Sequence, residues 1–437
     1  MKIIPSKELP KEFFPGFGNE EAAGVRRIVE DVRRYGDWAV RHYTRLFDGV
    51  EPAVFRVPKE KISQAESALD PTLREALDLS VRNIRTFAEA QKSESRDFET
   101  ETAPGVFCGQ RVVPIDRVGI YVPAGRFPLV SSLLMGAVPA LVAGVREIAV
   151  GSPPTSNGTV HPVILGAAGL LGLEEIYAVG GAQAVAALAF GTESISRVDK
   201  VVGPGNRFVT AAKREVFGTV GIDLLAGPSE VLIVADRSAD SSIAAADLLA
   251  QAEHDPEASA VLLTDSRDLA EAVLKEISRR LSDLPDPAVA KQSLDRRSFI
   301  VILNDLEEAV EIANLRAPEH LELQGSLAIA LADRFRCYGA LFIGAEAGEV
   351  FGDYTAGTNH TLPTKTAARF ASGLNVRDFL KFQTTLRLEA RGIDSLVPAT
   401  RRLAEGEGLA AHAAAAAVRL KKRSGLFANQ SGRRYSR

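Results

Sequence analysis

The feature that most restricts this chain is an alternation between residues 117 and 343. Short apolar runs rich in Val and Ile are separated by stretches with helical periodicity. Val118-Gly119-Ile120-Tyr121-Val122-Pro123 reads as a strand, about 130–143 as a helix, and Glu147-Ile148-Ala149-Val150 as the next strand. A helix at about 159–170, the strand Ile176-Tyr177-Ala178-Val179, a helix at about 182–190, the strand Lys200-Val201-Val202 and a helix from about 206 continue the pattern. Strands joined through helices run parallel, because the helix returns the chain to the edge it left. A second series starts at Val231-Leu232-Ile233-Val234 and adds strands at 260–264, 299–303, 320–323 and 340–343. The expected class is α/β: two successive Rossmann-like open α/β units. Spacing leaves open whether they are separate domains or one continuous sheet.

The flanks read differently. Residues 1–20 show scattered Pro and Gly and read as an N-terminal arm. Residues 21–116 read as a helical N-terminal section; in its first helix Val25, Ile28, Val29 and Val32 recur on one face, and Pro71 suits the first turn of a helix running to about Lys92. The expected units are 117–229 and 230–375, followed by a C-terminal helical extension at 376–437 with an Ala-rich helix over 409–420. Within the second unit, 352–364 is rich in Gly, Thr, Asn and Asp and reads as a loop.

Composition excludes several functions. A net charge of −4 and a pI near 6.0 give no basic surface for nucleic acid or an anionic membrane. Two isolated cysteines, Cys108 and Cys337, form neither a disulfide framework nor a cysteine metal knuckle, and a reducing compartment is the expectation. The N-terminus lacks the apolar core of a signal peptide. The uncharged run 127–145 is long enough to raise the membrane question, but its Pro, Gly and Ser residues and flanking strands favour a helix buried on a sheet face.

Chemistry can reside in few places. There are six histidines. His42 and His161 read as structural or exposed. The other four each stand near an acid or amide: His254 follows Gln251 by three residues, His320 follows Glu319, Asp353 and His360 bracket a loop, and Glu407 and His412 flank the start of the Ala-rich helix. Gln251 and His254 alone are a weak metal signal, because Gln is seldom a first-choice ligand. Two His, one Asp and one Gln nevertheless suffice chemically for zinc, with a separate acid–base pair. Glu319 and His320 are adjacent, so an extended backbone would send them to opposite faces unless the chain turns; Pro318 makes such a turn plausible. Gly203-Pro204-Gly205-Asn206 opens a helix after a strand, as a phosphate-binding turn does, but lacks the third glycine of the dinucleotide fingerprint. Gly180-Gly181-Ala182-Gln183 is a similar tight turn. Ser229, after Gly227-Pro228, is well placed to touch a ligand.

These segments, with 117–125, 226–236, 251–255, 317–323, 352–364, 372–381 and 407–413 in the same order, closely resemble the histidinol dehydrogenase family. The resemblance implies an NAD-dependent, zinc-containing enzyme that oxidises L-histidinol to L-histidine through bound histidinaldehyde. It matches Gln251, His254, Asp353 and His412 to the zinc ligands, one Zn2+ per subunit, and these also touch substrate. Glu319 and His320 match the acid–base pair, with His320 contacting substrate as well. Ser229 and Glu407 match substrate contacts, and Tyr121, Gln183 and Asn206 match NAD contacts; His360 is a site neighbour. The first α/β unit then becomes the NAD side and the second the metal and substrate side, with the front helices packed on the second. The resemblance further implies a cytoplasmic homodimer in which the C-terminal extension carries His412 and Glu407 into the partner's site. Gly348-Glu349-Val350-Phe351 replaces a usual proline–glutamate start and Thr366 a common glycine, which bears on local loop shape. Rival readings are a family paralogue oxidising another polar alcohol such as a sulfonated diol, a zinc hydrolase with Glu319 as base, and a catalytically silent metal-binding protein on the same fold.

Overall fold

A computed structural model describes residues 1–10, 13–14, 22–125 and 127–430. The chain forms two compact units: Met1–Lys92 with Ile115–Phe379, and Ser93–Pro114 with Leu380–Arg437.

The first unit opens with β1 (Lys2–Pro5), α1 (Ala22–Tyr35), α2 (Asp37–Asp48), α3 (Lys59–Ser67) and α4 (Pro71–Ser93). The second unit's first strands, β2 (Phe98–Ala103) and β3 (Val106–Pro114), come next in sequence. The first parallel series then runs β4 (Arg117–Tyr121), α5 (Val130–Ala143), β5 (Glu147–Ser152), α6 (Pro162–Leu170), β6 (Glu175–Ala178), α7 (Gly181–Phe190), β7 (Lys200–Val202), α8 (Arg207–Val216) and β8 (Gly221–Ile222). Its sheet has the order β6-β5-β4-β7-β8, all parallel. Chain order reverses beside β4, which makes the gap between β4 and β7 a switch point. Gly119 faces Leu188 of α7, and the next residue, Ile120, faces Gly136 of α5. Successive strand residues point to opposite faces, so α5 and α7 cover opposite sides of the sheet.

The second series runs β9 (Glu230–Ala235), α9 (Ser241–Ala252), β10 (Ser259–Thr264), α10 (Arg267–Leu281), α11 (Ala288–Arg296), β11 (Phe299–Ile302), α12 (Leu306–Arg316), β12 (His320–Gln324), α13 (Ser326–Ala330), β13 (Ala340–Ile343) and α14 (Glu349–Tyr354). The parallel order is β1-β11-β10-β9-β12-β13. The two faces are sorted by the period of two. Val231, Ile233 and Ala235 join Leu248 and Val273 under α9 and α10, whereas Leu232 and Val234 join Ala309 and Ala313 under α12. Burial on both faces explains why these strands read as unbroken apolar runs. Two sheets, not one continuous sheet, answer the question that spacing left open. α5 is buried along nearly its whole length, and no helix among the described residues is long and apolar enough to cross a membrane.

The second unit is an antiparallel sheet of order β14-β3-β2, with β14 (Leu380–Leu388) pairing β3 from Leu380↔Pro114 to Leu388↔Val106. α15 (Ala390–Gly406) and α16 (Ala410–Gln430) follow and pack on each other.

The flanks depart from expectation in four places. Residues 2–5 of the expected arm form β1 on the edge of the second sheet; a four-residue strand ended by proline carries no periodicity to read. The stretch 93–116 is largely strand, because the exposed Phe-Glu-Thr-Glu-Thr-Ala run of β2 gains strand form from pairing with β3 and shows no apolar alternation. The front helices do not all lie on the second α/β series. α1 and α2 pack on α7 and α8, where the Val25–Ile28–Val29–Val32 stripe of α1 meets an alanine-rich helix surface, and α3 packs on α6; α4 reaches the end of α14, through Ser80 and Asn83 to the carbonyls of Tyr354 and Thr355. The C-terminal unit begins at Leu380, four residues after the expected 376.

One ion pair anchors the second sheet. Arg316, 1% exposed at the end of α12, donates through Nη2 to Glu230 Oε2 at 3.1 Å and to Ser259 Oγ at 2.9 Å, and its guanidinium lies 4.7 Å from the centre of the Phe13 ring. Removing one partner strands a buried charge. Arg316→Leu is expected to lower stability by about 3–5 kcal/mol, and Arg316→Leu with Glu230→Leu to lose less than the single change, as read by denaturant unfolding.

Candidate active site

The site grows from the amino ends of β9 and β12. Ala317 caps α12 in the left-handed region (φ 49), and Pro318 follows, so the chain turns before the strand starts. That turn is the break the Glu319–His320 pair requires. Glu319 Oε2 accepts from the Glu230 backbone N–H at 2.9 Å, and His320 Nδ1 lies 3.2 Å from the Glu230 carbonyl oxygen. The two side chains therefore gather on the backbone of one residue, Glu230, with His320 Nδ1 3.8 Å from Glu319 Oε2. Both are buried, at 5% and 3% exposure.

Two further carboxylates face the imidazole. Glu349 Oε2 lies 3.4 Å from Nδ1, and Asp353 Oδ1 lies 3.6 Å from Nε2. Both come from α14, where a spacing of four puts them on one face. Asp353 was expected in a loop; Gly352-Asp353-Tyr354 instead forms the end of that helix, and the loop starts after it. With Nδ1 turned to a backbone carbonyl, Nε2 is the atom left free: it is buried and without a hydrogen-bond partner.

Electrostatics follow from this crowding. Burial alone would depress the His320 pKa, but Glu319, Glu349 and Asp353 outweigh it and lift the imidazole well above its ordinary value. Burial pushes Glu319 up to about 8, partly opposed by His320. Burial also raises Glu349. Burial would raise Asp353, but the neighbouring His320 outweighs it and lowers the carboxyl. The couple thus shares its protons, and each deprotonation alters the other group's affinity.

Gln251 and His254 meet at the end of α9. The helix stops at Ala252, and the His254 N–H caps it on the Gln251 carbonyl, so the two side chains converge at 3.3 Å without the helix continuing to His254. Gln251 is 0% exposed and its Oε1 has no partner. Burial lowers the His254 pKa and Asp353 opposes that, which brings His254, Asp353 and His320 into one electrostatic group. Among the described residues no three His, Cys, Asp or Glu side chains can hold a metal ion by themselves. Ser229 directly precedes β9, its carbonyl accepting from the Ser259 N–H. His360, the expected neighbour, places Nδ1 3.0 Å from the Asp353 carbonyl oxygen and Nε2 3.2 Å from Ser132 Oγ of α5. Glu407 and His412 belong to the second unit, where both are exposed at the junction of α15 and α16.

Tyr121, Gln183 and Asn206 stand at the opposite kind of edge, the carboxyl ends of the first sheet's strands. Tyr121 ends β4 and its hydroxyl accepts from the Gly181 N–H at 3.1 Å. Gln183 lies in the first turn of α7, and Asn206 caps α8 by accepting from Phe208 and Val209 N–H. The turn before Asn206 needs glycine: at Gly203 (φ 115) a Cβ would sit 2.2 Å from the Tyr121 carbonyl oxygen.

Sequence reasoning missed Glu230, Glu349, and the buried pair Lys213–Asp223, which grips Gly203 through both its carbonyl and its N–H. Only Glu349 left a trace, in its spacing of four from Asp353. His161, read as structural, is the N-cap of α6.

Two open parallel sheets, a glycine turn at a switch point and a buried carboxylate–imidazole couple define the class: an α/β protein with a candidate acid–base site. Comparison with known proteins narrows it. The family profile "Histidinol dehydrogenase" matches residues 18–420. A histidinol dehydrogenase of Parasynechococcus marenigrum is 47% identical over 393 residues, covering 90% of each chain. One from Methanosarcina barkeri is 43% identical over 417 residues, covering 95% of this chain and 96% of its own. The crystal structure of histidinol dehydrogenase from Elizabethkingia anophelis superposes with a TM-score of 0.91 at 36% identity, covering 97% of this chain and 99% of that one. The chain belongs to the histidinol dehydrogenase family.

Glu349 has both oxygens buried and faces Nδ1 of the working imidazole. Glu349→Ala is expected to lower turnover about a hundredfold through a misoriented ring, with Glu349→Gln, which keeps an acceptor, retaining more; steady-state kcat and KM check it.

Proposed function

We propose that this protein oxidises L-histidinol to L-histidine with NAD, in two successive two-electron steps through bound L-histidinaldehyde, the last steps of histidine biosynthesis. The observation that carries the reading is the Glu319–His320 couple, buried and gathered on the Glu230 backbone, in a chain that belongs to this family along nearly its whole length.

The donor set fits a divalent ion. Gln251 offers a buried carbonyl oxygen with no partner, and His254, whose pKa is lowered by burial, favours the neutral form that a ligand needs. Asp353 supplies the charge and is itself held ionised. The fourth ligand in this reading, His412, and the substrate contact Glu407 are exposed on the second unit and available to a partner subunit in a homodimer. Gln251, His254, Asp353 and His412 would hold one Zn2+ per subunit; Tyr121, Gln183 and Asn206 would hold NAD. When bound, NAD supplies the hydride acceptor, and Zn2+ supplies a fixed positive charge that orients the substrate's imidazole and amine.

The chain's own groups handle protons. In its neutral form His320 takes the alcohol proton at Nε2, unpartnered in the pocket, while Nδ1 donates to the Glu230 carbonyl oxygen with Glu349 beside it. The second oxidation needs water added to an aldehyde. Glu319 in its carboxylate form removes a proton from that water as the water oxygen bonds to the aldehyde carbon, and His320, having first released the alcohol proton to solvent, takes the remaining hydroxyl proton of the hydrated aldehyde. Burial of the couple keeps bulk water from competing. Ser229, beside β9, and Glu407 bind the substrate's polar groups.

The direct test is NADH formation from L-histidinol, expected at two NADH per histidinol, lost on chelation and restored by zinc. NADH formed from another polar alcohol, such as a sulfonated diol, and not from histidinol would assign the chain to a paralogous substrate. His320→Ala is expected to lose about 10²–10⁴-fold in turnover, and wild-type rates in that variant would remove it from the mechanism. His412→Asn should lower bound zinc measured by metal analysis. Mixing His412→Asn with His320→Ala subunits should restore part of the activity if each site draws on two chains.

A further inference from the structure

β12 sends two kinds of side chain to its two faces. Leu321 and Leu323 enter the apolar layer under α12. His320, Glu322 and Gln324 point the other way, in register with Val231, Ile233 and Ala235 of β9. β9 fills that layer with apolar groups alone, so the fold does not require polar ones there. Glu322 is 1% exposed, yet its carboxyl hydrogen-bonds to a second one, Asp247 of α9. Gln324 Nε2 donates to both, at 3.0 Å to Glu322 Oε2 and 2.9 Å to Asp247 Oδ2. Burying carboxyls destabilises a fold unless their oxygens find donors.

The other oxygen of Glu322 shows what the pair holds. Oε1 accepts from the Glu349 backbone N–H at 2.8 Å. Glu349 is the first residue of α14, and the N-cap before it, Gly348, has no side chain to offer. A helix of six residues does not stand by itself, because its few hydrogen bonds do not offset the cost of nucleation. Asp247 abuts the same point: a Cβ on Gly348 would lie 3.2 Å from Asp247 Oδ1. α14 also packs on α9. The first turn of α14 is thus held from β12 and from α9.

α14 carries the two carboxylates that face His320, Glu349 at Nδ1 and Asp353 at Nε2. The contacts close a ring. His320 and Glu322 are next but one on a strand, Glu322 takes the Glu349 N–H, and the Glu349 side chain returns to His320. We propose that Glu322 is a positioning residue: by anchoring the start of α14 it sets the orientation of the His320 imidazole and carries Asp353 to its place as a metal ligand, while Asp247 and Gln324 keep Glu322 itself in place. Burial and the Asp247 charge push the Glu322 pKa up, so the carboxyl keeps its proton near neutrality. Its acceptor oxygen does the work, not its charge. The inference deepens the reading of the site above and rests on it.

The test uses the full-length enzyme and compares wild type with Glu322→Leu and Glu322→Gln. Leucine fills the space and removes the acceptor. Glutamine keeps a carbonyl oxygen for the Glu349 N–H and turns an N–H to Asp247 where the acid proton lay. In Glu322→Leu, kcat at saturating L-histidinol and zinc is expected to fall about tenfold or more, with KM for NAD unchanged. Zinc affinity, read by competition with a chelator and without turnover, should fall about tenfold to a hundredfold, because Asp353 rides on the same helix. Glu322→Gln should keep both quantities within about threefold of wild type. Wild-type kcat and zinc affinity in Glu322→Leu would overturn the proposal, even with a lowered melting temperature, since the pair would then serve stability alone. Equal impairment of the two variants would also overturn it, because the role would pass to the carboxyl proton. Should Glu322→Leu fail to fold, Gly348→Val, which crowds Asp247 and displaces the start of α14 with Glu322 intact, is read by the same two measurements. The same losses are expected there, and wild-type values would overturn the proposal. A wild-type enzyme that binds zinc but leaves histidinol unoxidised would instead refute the functional reading alone, and the zinc competition would still decide the role of Glu322.

Discussion

The candidate catalytic edge depends on the backbone and side chain of one residue, Glu230. Its N–H holds the Glu319 carboxylate, its carbonyl oxygen faces His320 Nδ1, its Oε1 accepts from the Lys365 N–H, and its Oε2 pairs with Arg316. All four contacts lie on the interior side of the protein, and Glu230 is 2% exposed. Two neighbouring parallel strands can present adjacent residues to one pocket only if something outside the pleat collects them. Here that is Glu230 on β9, whose N–H donates to Glu319 and whose carbonyl oxygen, in the next peptide group, faces His320.

Parallel topology then places the two groups of candidate residues at different ends of strands. The candidate cofactor residues stand at the carboxyl edge of the first sheet, beside the β4–β7 switch point. The acid–base couple stands at the amino end of β12, next to the second sheet's own reversal between β9 and β12. In a parallel α/β unit, helices end where the next strands begin. The carboxyl end of α9 therefore delivers Gln251 and His254 to the same side as Glu319 and His320. The loop after α14 ties this side to α5 of the first series, through His360 to Ser132 and Asn359 to the Met135 carbonyl oxygen.

The cluster is unusually acidic for an interior. Beyond Glu319, Glu349 and Asp353, Glu322 and Asp247 face one another across Gln324, whose Nε2 donates to both. Burial and the Asp247 charge push Glu322 up to about 8. Two carboxyl groups in such contact keep a proton between them near neutrality, because both cannot ionise without mutual repulsion. His320 thus sits among groups that hold protons as well as charge, which suits a reaction that must move several of them.

What the amino-acid order determined by itself was the period of the elements and the chemical inventory. Val and Ile runs split by helical stretches specify parallel units, because that pattern has few other ways to bury both faces. The rarity of histidine singled out His254 and His320, and Gly203-Pro204-Gly205 announced a tight turn after a strand. Tertiary structure alone decided the rest. The strand character of Lys2–Pro5 and Phe98–Ala103 comes from partners about 300 and 10 residues away, respectively, and not from local propensity. The α14 position of Asp353, the convergence of Glu349 on His320, and the grip of Glu230 on both Glu319 and His320 have no local signature. They are distances between segments far apart in the chain, fixed when the two sheets pack, whereas a sequence records directly only what neighbours along the backbone can do to one another.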